Sequence, residues 1–192
     1  MAEVALKGSN ADAGPQFDDP EAITKQYRQL FAKSNTGAWE YIPATGYWDC
    51  NSIYFSMLGR DIHDFNIPGK NLNPKWVDLL HPDDRPEAMR YFMDYLENPV
   101  GMYESTFRMQ HADGSWVWIC SRGGFRKVEN NPAASSISGI HIDITEQKLA
   151  QDEIQRERIL LRTLIDNLPD TIYVKDSRCR KIIANRADVA AI

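Results

Sequence analysis

Cysteine is scarce in this chain. Cys50, Cys120 and Cys179 are the only three, odd in number and far apart. That excludes a disulfide framework and a zinc ligand set, and the usage fits a cytoplasmic, reducing setting. Long apolar runs are missing as well. The longest, Trp116 to Cys120, is five residues, whereas a membrane span needs ~20. Met1 to Asn10 has one lysine and no apolar stretch, so no secretory signal is expected there. Positive charge is in deficit, with 22 Lys and Arg against 27 Asp and Glu and a net charge of -5. A duplex-binding protein shows a basic face, so nucleic acid is not an expected partner. Catalytic constellations are absent too: the motifs assemble no Ser/His/Asp or Cys/His set, phosphate loop or metal cluster. His81, Asp83 and Asp84 crowd into one turn and are better explained as helix caps than as metal ligands. His63, His111 and His141 have no ligand-like spacing.

What is there is enough for one domain and an additional piece, because domains usually run ~100–200 residues and the chain has 192. The hydrophobic content of 43% and charged content of 26% are those of a soluble globular protein. Five tryptophans stand at 39, 48, 76, 116 and 118. Their clustering places the core between about residues 36 and 144.

The local patterns give an element order. Residues 1–20 are small and polar and are expected to be a flexible tail. Over 21–35, Asp19-Pro20-Glu21 starts an amphipathic helix whose Ile23, Tyr27, Leu30 and Phe31 share one face. Ala38–Ile42 and Tyr47–Cys50 flank Pro43-Ala44-Thr45-Gly46 and form a hairpin. Asn51 or Ser52 caps a short helix that Gly59 stops. Pro82 is the expected first residue of a helix running to Glu97, with Met89, Phe92, Met93 and Leu96 on its apolar face. Tyr103–Gln110 alternates as a half-buried strand, His111-Ala112-Asp113-Gly114 turns the chain, and Trp116–Phe125 and Ile137–Ile144 are further strands. Strands and helices in this order argue for an α+β domain with an antiparallel sheet.

A long helix follows, over 146–168. Asp143 and Glu146 have capping-box spacing, with Thr145 as an alternative cap. Ile154, Leu161 and Leu168 are seven apart, Ala150 and Leu164 join that stripe, and Glu157 breaks it. Residues 169–192 then repeat the opening of the main domain. A shift of 134 positions lays Leu164 on Leu30, Tyr173 on Trp39, Ile182 on Trp48 and Asn185 on Asn51. A piece this short buries no sheet face alone, so the sequence is expected to be cut inside a second, similar domain.

These residues resemble a PAS sensory domain with its PAC motif. The resemblance is carried by Trp39 and Trp48 on paired strands, Asn51 opening a helix that ends Met57-Leu58-Gly59, and Trp76–Leu80 joined to His81-Pro82-Asp83-Asp84-Arg85. It continues through Tyr103–Met109, Asp113-Gly114-Ser115-Trp116-Val117-Trp118, Ser121-Arg122-Gly123, and Gly139–Thr145 ending in Asp-Ile-Thr. Residues 36–145 are thereby identified as a PAS/PAC unit. Asn167-Leu168-Pro169-Asp170 and Tyr173-Val174-Lys175-Asp176 resemble the start of another, with Cys179 where such turns commonly carry Gly.

The resemblance implies a five-stranded antiparallel sheet with helices on one face, flanked by the N-terminal amphipathic helix and a C-terminal signalling helix. It implies a domain without catalysis of its own, in series with an effector such as a histidine kinase or diguanylate cyclase on the same polypeptide. It implies that Asp143 and Thr145 couple the last strand to the outgoing helix. A small-molecule pocket would be lined by Trp39, Phe55, Met57, Trp76, Phe92, Phe107, Met109, Trp118 and Cys120, which are otherwise simply core. Arg108 and Arg122 would reach an anionic ligand only if strand phase turned them inward. Neither haem nor flavin is expected. The helix over 82–97 holds no His to serve as an axial ligand, and no Asn-Cys-Arg-Phe-Leu-Gln helix occurs. The helical segments would join two copies in a homodimer.

Overall fold

The computed structural model describes residues 29–31, 33–61, 63 and 73–190. The tail expected over 1–20 and most of the helix expected over 21–35 lie outside these residues, although 29–31 and 33 are helical.

Five strands form one antiparallel sheet: β1 (Gly37–Ile42), β2 (Tyr47–Cys50), β3 (Tyr103–Gln110), β4 (Trp116–Arg126) and β5 (Ser136–Asp143), in the spatial order β2-β1-β5-β4-β3. Between β2 and β3 lie the helices α1 (Ser52–Ser56), α2 (Asn73–Leu79) and α3 (Arg85–Glu97). After β5 come α4 (Thr145–Asp166), a separate two-stranded hairpin of β6 (Tyr173–Lys175) and β7 (Lys181–Ala184), and α5 (Arg186–Ala190).

Local chemistry accounts for most boundaries. The Asn51 side chain accepts the N–H of Tyr54 at 3.1 Å and caps α1. It also accepts the Ala38 N–H at 3.0 Å and donates to the Thr36 carbonyl at 3.2 Å, so one amide ties the helix to the entry of β1. Two expectations are corrected. Helix α3 starts at Arg85 and not at Pro82, with Pro86 in its first turn and Pro82 in the turn before it. Its buried face is Ala88, Phe92 and Tyr95, while Met89 and Met93 are exposed. Tyr95 wins the inner position because its ring packs on Tyr103 and its hydroxyl donates to the Gly101 carbonyl at 2.9 Å.

The core lies between the inner face of the sheet and α1–α3. Trp39 is its centre. It stacks on Trp48 at 5.4 Å between centroids and meets Phe92, Tyr103 and His141 edge-on at 6.0–6.3 Å. Room for that indole comes from a pair of glycines. Gly139 is the cross-strand partner of both Trp39 and Gly123. A Cβ at Gly139 would meet the indole at 2.5 Å, and one at Gly123 would meet it at 3.1 Å and the Ser138 carbonyl at 2.9 Å. Gly37 repeats the arrangement on a smaller scale: its absent Cβ leaves space for the Tyr54 backbone, and the Tyr54 ring stacks on His141, the cross-strand partner of Gly37, at 4.5 Å.

The hairpin β6–β7 reproduces the opening of the sheet at the same 134-residue offset. Tyr173 pairs with Ala184 as Trp39 pairs with Cys50. Asn185 is completely buried, accepts the N–H groups of Ile172 and Asp188 at 2.9 and 3.0 Å, and donates to the Asp170 carbonyl at 2.8 Å. Those partners correspond to Ala38, Tyr54 and Thr36. Cys179 takes φ 59°, a left-handed conformation that favours glycine.

Two outcomes follow from this packing. Gly139→Ala is expected to cost about 1–3 kcal/mol of stability by overpacking, whereas Gly124→Ala, with open space at the Cβ position, leaves stability within about 0.5 kcal/mol; chemical denaturation measures both. His141 is buried to 1% exposure, and burial pushes its pKa down to about 3. The unfolded chain therefore binds a proton below about pH 6.5 that the folded chain refuses. Stability should be complete above that pH and fall at up to about 1.4 kcal/mol per pH unit as acid is added. A His141→Phe variant should be flat between pH 6.5 and 5 in the same titration.

Candidate functional site

The aromatic interior brings most of the expected pocket residues together. Trp39, Phe55, Met57, Trp76, Phe92, Phe107 and Met109 are all buried in one cluster. Trp118 and Cys120 do not join them. The register places Val117, Ile119 and Ser121 opposite the inner residues Met109, Phe107 and Ser105, so Trp118 and Cys120 stand on the outer face of the sheet. Arg108 and Arg122 are on the outer face too, held by Asp84 and Glu104.

Four further members of the interior stand outside the expected pocket set: Trp48, Tyr54, Tyr103 and His141, all buried. The available signal for His141 was parity, since it alternates with Ile137 and Gly139 along β5. Among the described residues, the Trp39 Nε1, Trp76 Nε1, Tyr54 hydroxyl and His141 Nδ1 atoms are buried with no hydrogen-bond partner. A polar group left so costs ~1–3 kcal/mol. Burial, with Cys50 and Tyr103 nearby, raises the Tyr54 pKa well above its ordinary value, so the phenol is neutral. Burial and Asp49 push the Cys50 thiol up to about 12, which leaves it unreactive. Among the described residues no group of three or more His, Cys, Asp or Glu is placed to hold a metal ion.

The second feature is the joint between β5 and α4. The Ile144 N–H donates to the Trp118 carbonyl at 2.9 Å, as a further rung of the β4–β5 ladder. The next rung would need the Ile144 carbonyl, but that group accepts the Lys148 N–H at 2.9 Å and begins the helix. The Thr145 hydroxyl takes its place and accepts the Trp118 N–H at 2.9 Å. Asp143 Oδ1 accepts the Thr145 N–H at 2.8 Å. The capping box expected between Asp143 and Glu146 therefore does not form: Ile144 is the cap residue, and Asp143 serves the first helical N–H from one position earlier.

Trp118 is also held from its sides. The Arg108 guanidinium and the Lys148 ammonium each lie 5.3 Å from its ring centroid. Arg108 is fixed by Asp84, whose carboxylate accepts its N–H, Nε and Nη2 at 2.9, 2.9 and 2.6 Å. Those bonds hold the Asp84 carboxyl below its usual range and raise Arg108. Contacts thus run unbroken from the start of α3, through Arg108 and Trp118, to the first turn of α4. Beyond that turn α4 has no buried residue, and Leu149, Ile154, Ile159, Leu160, Leu161 and Leu164 are all exposed. Among the described residues, no helix is long and apolar enough to cross a membrane.

Comparison with known proteins agrees with this architecture. Residues 47–140 match the family model described as PAS fold. Sensor protein FixL of Bradyrhizobium diazoefficiens is 29% identical over 101 residues, covering 53% of this chain and 20% of that protein. The non-motile and phage-resistance protein of Caulobacter vibrioides is 25% identical over 178 residues, covering 89% of this chain and 19% of that protein. The chain thus spans about a fifth of the length of these curated relatives. Among solved structures, a sensory box histidine kinase/response regulator from Burkholderia thailandensis superposes with a TM-score of 0.58 at 22% identity, over 72% of this chain and 98% of that one. The N-terminal domain of a diguanylate cyclase with PAS/PAC sensor from Marinobacter aquaeolei gives 0.50 at 19% identity, over 59% and 98%. With its five-stranded antiparallel sheet and helices, the domain matched over residues 47–140 has the PAS fold.

Proposed function

We propose that this PAS domain is the sensory input unit of a larger signal-transduction protein and passes its state through Asp143-Ile144-Thr145 into α4. The observation that carries this reading is the contested rung at Thr145. Strand and helix need the same Ile144 carbonyl, and a side-chain hydroxyl resolves the conflict. In this reading a small displacement of β4 or β5 shifts that balance and changes how the first turn of α4 is held. The input is a small neutral ligand or a partner acting on the aromatic interior, whose four unpartnered polar groups suit a guest with complementary atoms. Haem and flavin have no part in the reading. The names of the relatives support a signalling context, with an effector such as a histidine kinase or diguanylate cyclase elsewhere in the polypeptide. Residues 169–192 are read as the opening of a second PAS unit, which the repeated asparagine network supports.

The test is Thr145→Val, alone and with Asp143→Ala, in the full-length protein. Loss of the rung should cost about 1 kcal/mol, speed exchange of the Trp118 amide several-fold, and uncouple output from input. Unchanged regulation of output would refute the relay.

A second reading is a dimerisation module, favoured by the exposed apolar residues of α4. Leu161 is 61% exposed on a helix with no buried residue. Sedimentation should give a dimer that Leu161→Glu weakens at least tenfold; a monomer at all concentrations would rule this out.

A further inference from the structure

We propose that the open half of β3 is a docking edge for an extended, basic peptide segment of a partner protein. Arg108 shows how the β3 backbone faces. Its N–H donates to Asp84 and its carbonyl accepts the His81 N–H, both at 2.9 Å and both on the side away from β4. Alternate residues of an antiparallel strand turn both backbone groups to the same side. Glu104 and Thr106 therefore present their N–H and carbonyl groups to that outer side. β3 is the last strand of the sheet, and among the described residues nothing pairs with these groups.

The two ends of this edge differ. Near Arg108 it is closed by the Leu80–Met109 bridge and by Asp84. Near Glu104 it opens on a groove of about 520 Å³ between β3 and α3, walled by Glu87, Ala88, Tyr91, Thr106 and Trp118. Charged side chains, proline, a bulge or a covering helix usually blunt a free edge; here the one such feature is the charge of Glu104, which selects a cationic strand. Tyr103-Glu104-Ser105-Thr106 has no lysine, proline or bulge, and its register with β4 is unbroken.

Charge selects the occupant. Among the described residues no cation pairs with Glu87, and Glu104 is held only by Arg122 at 3.0 Å in a half-exposed contact. An exposed pair of this kind contributes only ~0–1 kcal/mol, so a lysine or arginine of an incoming strand exchanges readily into it. A second copy of this chain pairing edge to edge would bring Glu104 towards Glu104, which disfavours self-association. An added strand also contacts Trp118, the residue that holds the first turn of α4. The docking edge itself does not rest on the relay reading.

Amide hydrogen exchange with three capped pentapeptides tests this. Acetyl-Thr-Lys-Val-Lys-Thr-amide should slow exchange at Glu104 and Thr106 at least tenfold while leaving Phe107, already paired with β4, unchanged. Acetyl-Thr-Glu-Val-Glu-Thr-amide, and the basic peptide methylated at every backbone nitrogen, should do neither. Glu87→Lys should raise the basic peptide concentration needed by about tenfold. The proposal is overturned if the basic peptide leaves both amides unchanged, or if either control protects them equally. Protection that grows with protein concentration and needs no peptide would assign the edge to a second copy and overturn it as well.

Discussion

The structure depends on one indole having somewhere flat to lie. Trp39 covers the cross-strand pair Gly139 and Gly123, and any side chain at Gly139 would intrude into it. That single fit sets the spacing between the sheet and everything stacked above it. Trp48 stacks on Trp39, Trp76 stacks on Trp48 at 5.2 Å, and Phe92 of α3 touches all three rings. The helices are thus positioned through rings that meet edge to face or in offset stacks, the arrangements that aromatic quadrupoles favour. An interior built this way transmits displacement, because close-packed rings have few intermediate arrangements.

The same economy appears at the exit from the sheet. Ile144 gives its N–H to the ladder and its carbonyl to the helix, and Thr145 and Asp143 supply what is then missing. No residue there is exotic. At the joint two kinds of regular structure meet on one peptide unit, next to the Trp118 ring flanked by Arg108 and Lys148. Interior, edge and joint therefore meet within β4 and its neighbours.

Much of the fold was legible in the residues. Asn51 and Asn185 announced helix starts by capping chemistry, and each is the hub of an amide network. The alternation of Tyr103 to Gln110 gave the correct inner face. Other residues misled for identifiable reasons. Met89 and Met93 satisfy helical periodicity but point to solvent, because Tyr95 has both a ring partner and an acceptor for its hydroxyl. Trp118 and Cys120 were assigned to the pocket because Trp116 to Cys120 is apolar at every position, so no alternation marks its inner side. Ligand spacing does not reveal His141, because this histidine is stacked on a tyrosine and serves no ligand-like pattern in the sequence.

By itself the sequence determined the order of the elements, the two asparagine caps, the span of the core and the internal repeat, because these are set by local periodicity and by groups a few residues apart. Only the tertiary structure decided which side of the sheet each β4 residue faces, that Asp84 grips Arg108 across 24 positions, and that Thr145 completes a rung with Trp118 across 27. Those contacts depend on strand register, and register is settled by how distant segments fit: here, by where two glycines allow a tryptophan to lie.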